Sequence, residues 1–578
     1  MLEYRRNMTI AKNTSHDSRL TLASYLALGF FFLGIIILLL LVFYHFLPNA
    51  ATLSHLDKII YTGSSVPLVI LFLGGLLLST PFGNRFISRK FQVSTDEINQ
   101  FRSQRHYRSL SIVVLLMLFA TVYLVYIDQK LAVYNLSSTR YYNDTIDYLH
   151  VGSYPLSNLD FWAGSRSFSL PLFYKMMGYN FSNYMDQGNM NRVSHIQWYF
   201  SIFCWTIFAV SVCFAMRNWI SRLFTFSIIL MMGASVDISF WDRVLLTEPL
   251  AISLFVLLIA LLIIGGLLIE KSQKVSVWLQ VLLVGIILWI ALLYTFIRDS
   301  DGYFLLLLAC IMIVGVCFRM IRKAALFPAY LCIALGFLVI FFLGNTSANI
   351  GDRYVPYMMH VFAYRFIPQE QSRNFFLAQG MPFDNRIATL DSLPISQLNS
   401  LSLTDPSIKR LIAWLGKDGE KATMQYLISH PGYFLFAPLR DVPRIINDQY
   451  TMFRPTLITP VPSRISWLSS ILYLRFAWLP ILFLIFALAS ISLIFVKSNR
   501  TRIIWYVVLV AFLTAYPMAV ICWHGDAFEI ERHSLQVAIQ LRLAVWILLG
   551  LLVERGYLFL RNKLNERAEK EENISKAP

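Results

Sequence analysis

Charged side chains are scarce in this sequence. Asp, Glu, Lys and Arg make up 14% of 578 residues, while 57% are hydrophobic. A soluble domain carries far more charge than this. Cysteine is sparse too: Cys204, Cys213, Cys310, Cys317, Cys332 and Cys522 all lie in or at the end of apolar segments. That placement argues against a disulfide framework and a thiolate metal site. Acids are outnumbered, 33 against 49 Lys and Arg, for a net charge of +16. In a soluble chain such a balance raises nucleic acid as a partner; here the basic residues follow the membrane topology, and no nucleic-acid partner is expected. No internal repeat shows in the hydropathy, and mid-span charge is nearly absent apart from Arg542 in "LQVAIQLRLAVW". An ion-coupled transporter or flippase, which places ionisable groups near the midplane, fits poorly.

What is present is long apolar runs. Ala23–Phe43 has no charge, and each such run can cross a hydrocarbon core ~30 Å thick. The first is too long for a signal-peptide core and reads as a true span. The expected fold is an all-α polytopic membrane protein with about 12 transmembrane helices. They fall at 22–47, 60–80, 109–127, 196–216, 219–236, 249–269, 275–297, 302–318, 324–344, 476–496, 503–523 and 534–554. One set of connections is basic: the N-terminus with Arg5 and Arg6, the loop 82–108, Arg217/Arg222, Lys271/Lys274, Arg319/Arg322/Lys323, Lys497/Arg500/Arg502 and the C-terminal tail. The positive-inside rule places these, and both termini, in the cytoplasm. Two long extracytoplasmic loops remain, 128–195 and 345–475. The expected organisation is 1–108 (two spans and a basic loop), a module 109–344, the late loop, C-terminal helices 476–561, and a disordered charged tail 562–578.

The outer face collects acids from four places. Asp144 and Asp147 lie in "TRYYNDTIDYL"; Asp237, Asp242 and Glu248 bracket "DISFWDRVLLTEPL". Asp299 and Asp301 lie in "RDSDGYF", and Asp526, Glu529 and Glu531 in "GDAFEIERH". A single acid at a span end is ordinarily a solvated loop charge. Four clusters on one face, each touching a helix end, point to a site. Glu248 stands at or inside a span, where a carboxylate is costly without a partner or a role; Arg243 is the nearest candidate partner in sequence.

This pattern resembles the GT-C superfamily of integral-membrane glycosyltransferases, which take sugars from polyprenyl-phosphate donors. Members carry an Asp in a long first outer loop of the conserved module, and a second acidic position in the next outer loop. Asp144 matches the first, and Asp237, Asp242 or Glu248 the second. "DFWAGSRSFSLPLFYKMMGY" and "GDAFEIERHSLQVAIQLRLAVW" are similar to bacterial proteins of this kind. The resemblance covers roughly 109–344, with weaker support to 554. Two spans precede the module and no WWDYG-like motif is present, so transfer of a whole oligosaccharide to Asn is not expected.

Inverting transfer needs a carboxylate to take the acceptor's proton and cations to steady the departing phosphate. Asp144 is the expected base and Asp147 the alternative; an Asp144 that only caps a short helix is the ordinary reading. Glu248 is a further catalytic candidate. Arg532, His533, Arg542 and Arg298 are expected on the phosphate. A snorkelling or helix-packing Arg542 is the structural alternative. Asp299 and Asp301 raise a divalent cation, but such triplets arise by chance, and no cofactor or metal is expected. The expected partners are a polyprenyl-phosphate-linked sugar, membrane lipids and an extracytoplasmic glycan, lipid or protein acceptor. The expected location is a bacterial plasma membrane, since the Asn-x-Ser/Thr triplet at Asn143 would put a glycan beside the base. A polysaccharide ligase or polymerase working from the late loop, with Arg353, His360, Arg365 and Arg440, is the rival.

Overall fold

The computed structural model describes residues 106–183, 186–271, 276–321, 327–446, 484–491 and 499–576. These are mostly helical (84%) and contain no strand. Helices are what long Leu-, Ile- and Val-rich runs must form in hydrocarbon, because only they satisfy every backbone polar group within one segment. Helix α1 (His106–Asn135) leads to three short helices, α2 (Asn143–Ser153), α3 (Leu159–Ala163) and α4 (Ser169–Met176). Then come α5 (Gln187–Ala215) and α6 (Trp219–Gly233). The chain bends by 49° into Val236–Arg243 before α7 (Glu248–Lys271). After α8 (Val277–Thr295), α9 (Asp301–Ile321) and α10 (Phe327–Ile350) the late loop begins with α11 (Val355–Val361). The final helices are α12 (Asn499–Gly525), α13 (Ile530–His533) and α14 (Leu535–Lys576).

Among the described residues seven helices are long and apolar enough to cross a membrane, or eight with the bent pair, and Asp301–Gly315 is a shorter apolar helix. The expected spans 22–47 and 60–80, and much of 476–496, lie outside the described residues. Two expected boundaries move. The helix expected to end at 127 runs to Asn135, and the one expected to begin at 196 starts at Gln187. Their ends are polar, and one of these polar residues, Lys130, is completely buried. Helix α14 continues through the charged C-terminal stretch to Lys576. "NERAEKEEN" is rich in Glu, Lys, Arg and Ala, all strong helix formers.

The two ends of the bundle are defined by contacts between distant segments. At one end the backbone N–H of Arg217 and the Thr501 hydroxyl both donate to buried Glu554, at 2.8 and 2.9 Å. At the other end α2, the start of α7, the α8–α9 turn and α13 meet. Arg140 is the hinge of that second end. Its N–H donates to Arg243 O at 2.9 Å, and Leu245 N–H donates to Arg140 O at 3.0 Å, a lone bridge between the α1–α2 and α6–α7 connections. The Thr145 hydroxyl adds a 2.7 Å bond to Leu245 O and itself accepts from Tyr142 N–H at 3.0 Å. Thr145, rather than Asp144, therefore anchors the start of α2. Asp144 sits in its first turn with the carboxylate turned elsewhere.

The described part of the late loop is a helical layer with its own apolar core, including Phe362, Phe366, Phe376, Leu411, Leu415 and Tyr426. It docks on the end of α12. Asp441 accepts from Trp523 Nε1 at 2.7 Å, and Arg444 pairs with Glu531 at 2.6 Å. Arg365 lies 3.7 Å over the Trp523 ring and donates to the Trp523 carbonyl. On the other side Arg353 forks onto Asp299, both bonds at 2.9 Å, and donates to Gly164 O at 3.1 Å. A Cβ on Gly351 would collide with that same carbonyl, so the late layer and α3 touch backbone to backbone.

Candidate active site

The centre of the site is Arg532, on the single turn of α13 between α12 and α14. Its Nε lies 2.5 Å from Glu248 Oε1, and its terminal nitrogen donates to Asp144 at 2.9 Å and to Glu529 at 2.6 Å. Glu248 is fully buried. Its second cation is Arg298, at 3.7 Å. Arg298 in turn donates to the Arg532 carbonyl at 3.3 Å and contacts His533 Nδ1 at 2.8 Å. On the far side of the same ring, Nε2 lies 2.9 Å from Asp526, which also faces His360 at 3.4 Å.

A third guanidinium completes the group. Arg166, in the α3–α4 turn, donates to Asp144 at 3.0 Å and to Asp147 at 2.6 Å. It also meets the Tyr357 hydroxyl at 3.4 Å, and its guanidinium carbon lies 5.3 Å from the centre of the Tyr148 ring. The Asp144 carboxylate thus bridges Arg166 and Arg532, one oxygen on each. Its side chain keeps 31% of its surface accessible, against 0% for Glu248.

Electrostatics follow from this packing. Burial works to raise the Asp144 carboxyl, but Arg532 and Arg166 outweigh it and hold it below the usual carboxylate range. Burial likewise opposes the charge on Arg532, yet Glu248, Glu529 and Asp144 keep its guanidinium well above its ordinary value. Asp526 is buried, which by itself would raise it; its contacts with His360 and His533 depress it strongly. Around Arg532 the carboxylates and guanidiniums are ion pairs in which each charge offsets the other's desolvation cost.

Of the residues expected from sequence, Asp144, Asp147, Glu248, Arg298, Arg532 and His533 come together. Asp301 borders the group: with Glu248, Arg298, Gln536, Phe255 and Ile539 it lines a small cavity immediately below. Its Oδ2 is buried without a hydrogen-bond partner among the described residues. Four expected residues go elsewhere. Asp299 is engaged by Arg353, which separates it in role from Asp301. Asp242 makes a 2.8 Å pair with Lys130, both essentially inaccessible. Arg542 is buried in α14, where Asp237 is the charge acting on it. Arg243, the sequence neighbour expected to serve Glu248, turns back instead to Tyr134 O at 2.8 Å and to Thr139 at 3.1 Å. No group of three or more His, Cys, Asp or Glu side chains suited to a metal occurs among the described residues. Arg166 and Tyr357 were missed from sequence. Arg166 stands in the quoted "DFWAGSRSF" stretch, but away from the acid clusters that marked the other site residues.

No family model matches the chain and no curated protein matches its sequence. Among solved structures, it is similar to the archaeal oligosaccharyltransferase AglB from Archaeoglobus fulgidus, in complex with an inhibitory peptide and a dolichol-phosphate. The identity is 12% and the TM-score 0.40, over 78% of this chain and 52% of that one. The chain thus spans about half the length of that structure.

Proposed function

We propose that this is an integral-membrane glycosyltransferase that moves a sugar from a polyprenyl-phosphate donor to an extracytoplasmic acceptor, with inversion. The observation that carries the reading is the gathering of three guanidiniums, Arg166, Arg298 and Arg532, around Asp144 and Glu248 at one end of a membrane-helix bundle. The acceptor hydroxyl attacks the anomeric carbon from the side opposite the phosphate. The new C–O bond forms as the bond to the phosphate oxygen breaks, and the electron pair leaves with the phosphate. Asp144 takes the acceptor's proton, with Asp147 beside it as the alternative base. The arginines stabilise the charge that accumulates on the leaving phosphate, where forked donors suit its oxygens. The chain would lie in a bacterial plasma membrane with both termini cytoplasmic, the position that the basic connections favour.

A polysaccharide ligase or polymerase is a second reading of the same chemistry. Its support is His360 of the late layer, which faces Asp526 and through His533 adjoins Arg298. The test common to both is release of polyprenyl phosphate from glycosylated donors by the purified protein. Time-dependent release that requires an acceptor supports the proposal. A panel of mono- and diphosphate-linked donors left intact would contradict it.

A further inference from the structure

We infer that the Asp144 carboxylate, where it bridges Arg166 and Arg532, holds the seat that the donor phosphate takes, and that the arriving phosphate displaces it. The inference deepens the proposed function and rests on it. Asp144 presents two oxygens, one to Arg166 at 3.0 Å and one to Arg532 at 2.9 Å. Two unesterified oxygens of a phosphodiester can bridge the same pair of guanidiniums in the same way.

The other carboxylates are less able to yield. Glu248 is fully buried and held by two arginines. Moving it would leave a charge without water or partner, a heavy cost. Among the described residues the Glu529 carboxylate pairs with Arg532 and that of Asp147 with Arg166, and neither bridges the two guanidiniums. Asp144 combines the bridging position with 31% accessible surface and a place in the first turn of α2, where the helix end favours a carboxylate even after it swings away. The exchange also conserves charge. Three arginines already face Asp144, Asp147, Glu248 and Glu529. A phosphate added on top of these four would meet net repulsion, whereas a phosphate that replaces one of them does not.

The consequence is a base that is switched on by its substrate. Paired with Arg166 and Arg532, Asp144 is tied to two cations and is a poor proton acceptor. Released by the phosphate, it loses both and becomes more basic at the moment the anomeric carbon arrives.

Affinity separates this arrangement from one in which Asp144 merely stands near the donor. Binding of a polyprenyl monophosphate to the detergent-solubilised full chain is measured for wild type, Asp144→Asn, Asp144→Ala and Asp144→Asn with Arg166→Gln. Removing the competing charge should tighten binding about tenfold or more in both single variants, and adding Arg166→Gln should erase the gain. Affinity equal to or weaker than wild type in Asp144→Asn and Asp144→Ala overturns the displacement but leaves the donor reading standing. A gain that survives Arg166→Gln overturns the assigned seat. Absence of saturable binding in every form overturns both the displacement and the donor reading.

Discussion

Arg532 and Glu248 lie 284 residues apart in sequence and meet at 2.5 Å in the floor of the site. The contact joins the turn between α12 and α14 to the first residue of α7, so it fixes both the site and the packing of the helices that carry it. Glu248 has no solvent access, and its charge there depends on Arg532 and Arg298.

Breaking that pair from one side should be costly. Arg532→Met leaves buried Glu248 with Arg298 alone, at 3.7 Å, and Glu248→Gln removes the innermost of the three carboxylates on Arg532; each should destabilise the protein by roughly 3 kcal/mol or more. The double variant should recover part of the loss, because neither of these two buried side chains then faces a position whose opposite charge is gone. Denaturant unfolding of the four forms as a double-mutant cycle measures the coupling. Additive losses would show that the two side chains act independently.

Lys130 and Asp242 should behave in the same manner without touching the chemistry. Lys130→Met strands Asp242 and should lower stability by about 3 kcal/mol or more. Lys130→Met with Asp242→Leu should restore most of it and retain donor turnover. A stable double variant without turnover would place this pair in the site itself.

Asp526 should set the acid limb of stability. Its carboxyl is depressed in the folded chain by His360 and His533, while in the unfolded chain it titrates near the ordinary value of about 3.9. The unfolded state therefore binds more protons as pH falls. The contribution is whole above about pH 5 and declines as pH drops below roughly 3.9 toward the lower folded value. Asp526→Asn should be less stable than wild type at pH 7, and the gap should begin to narrow as pH falls below about 4, in melts recorded from pH 7 to pH 3. A constant gap across that range would mean the carboxylate's charge is not what stabilises it.

Arg166 and Arg542 should separate by assay. Arg166→Gln should raise the KM for donor about tenfold or more with little change in melting. Arg542→Met should lower the melting temperature and leave the donor KM near wild type in whatever remains folded, because its neighbouring charge is Asp237. The reverse pattern would return the phosphate role to Arg542.

How far the sequence carries toward this site can be judged residue by residue. The acids at Asp144, Glu248, Asp301 and Asp526 were legible as one face because hydropathy and basic loops give topology, and topology alone brings those helix ends together. Arg298, Arg532 and His533 were legible because they sit at the same ends. Their partners were not. Proximity in sequence suggested Arg243 for Glu248, but the bend after α6 turns that guanidinium back onto α1. Lys130 was hidden because the apolar run ends before the helix does. Arg166 was hidden because its partners are supplied by the fold of the first loop, which no periodicity records. The late loop's helical core was not anticipated either; its apolar residues are spread over many short helices with no single long period.

The central claim is that Asp144 is the base of a transfer whose leaving phosphate rests on the arginines. The initial rate of sugar transfer from a polyprenyl-phosphate donor, compared among wild type, Asp144→Asn and Asp147→Asn at equal folded concentration and saturating donor, tests it most directly. Asp144→Asn should lose about 10²–10⁴-fold in kcat, and Asp147→Asn, whose carboxylate pairs with Arg166, less than tenfold. A wild-type rate in Asp144→Asn would contradict the account.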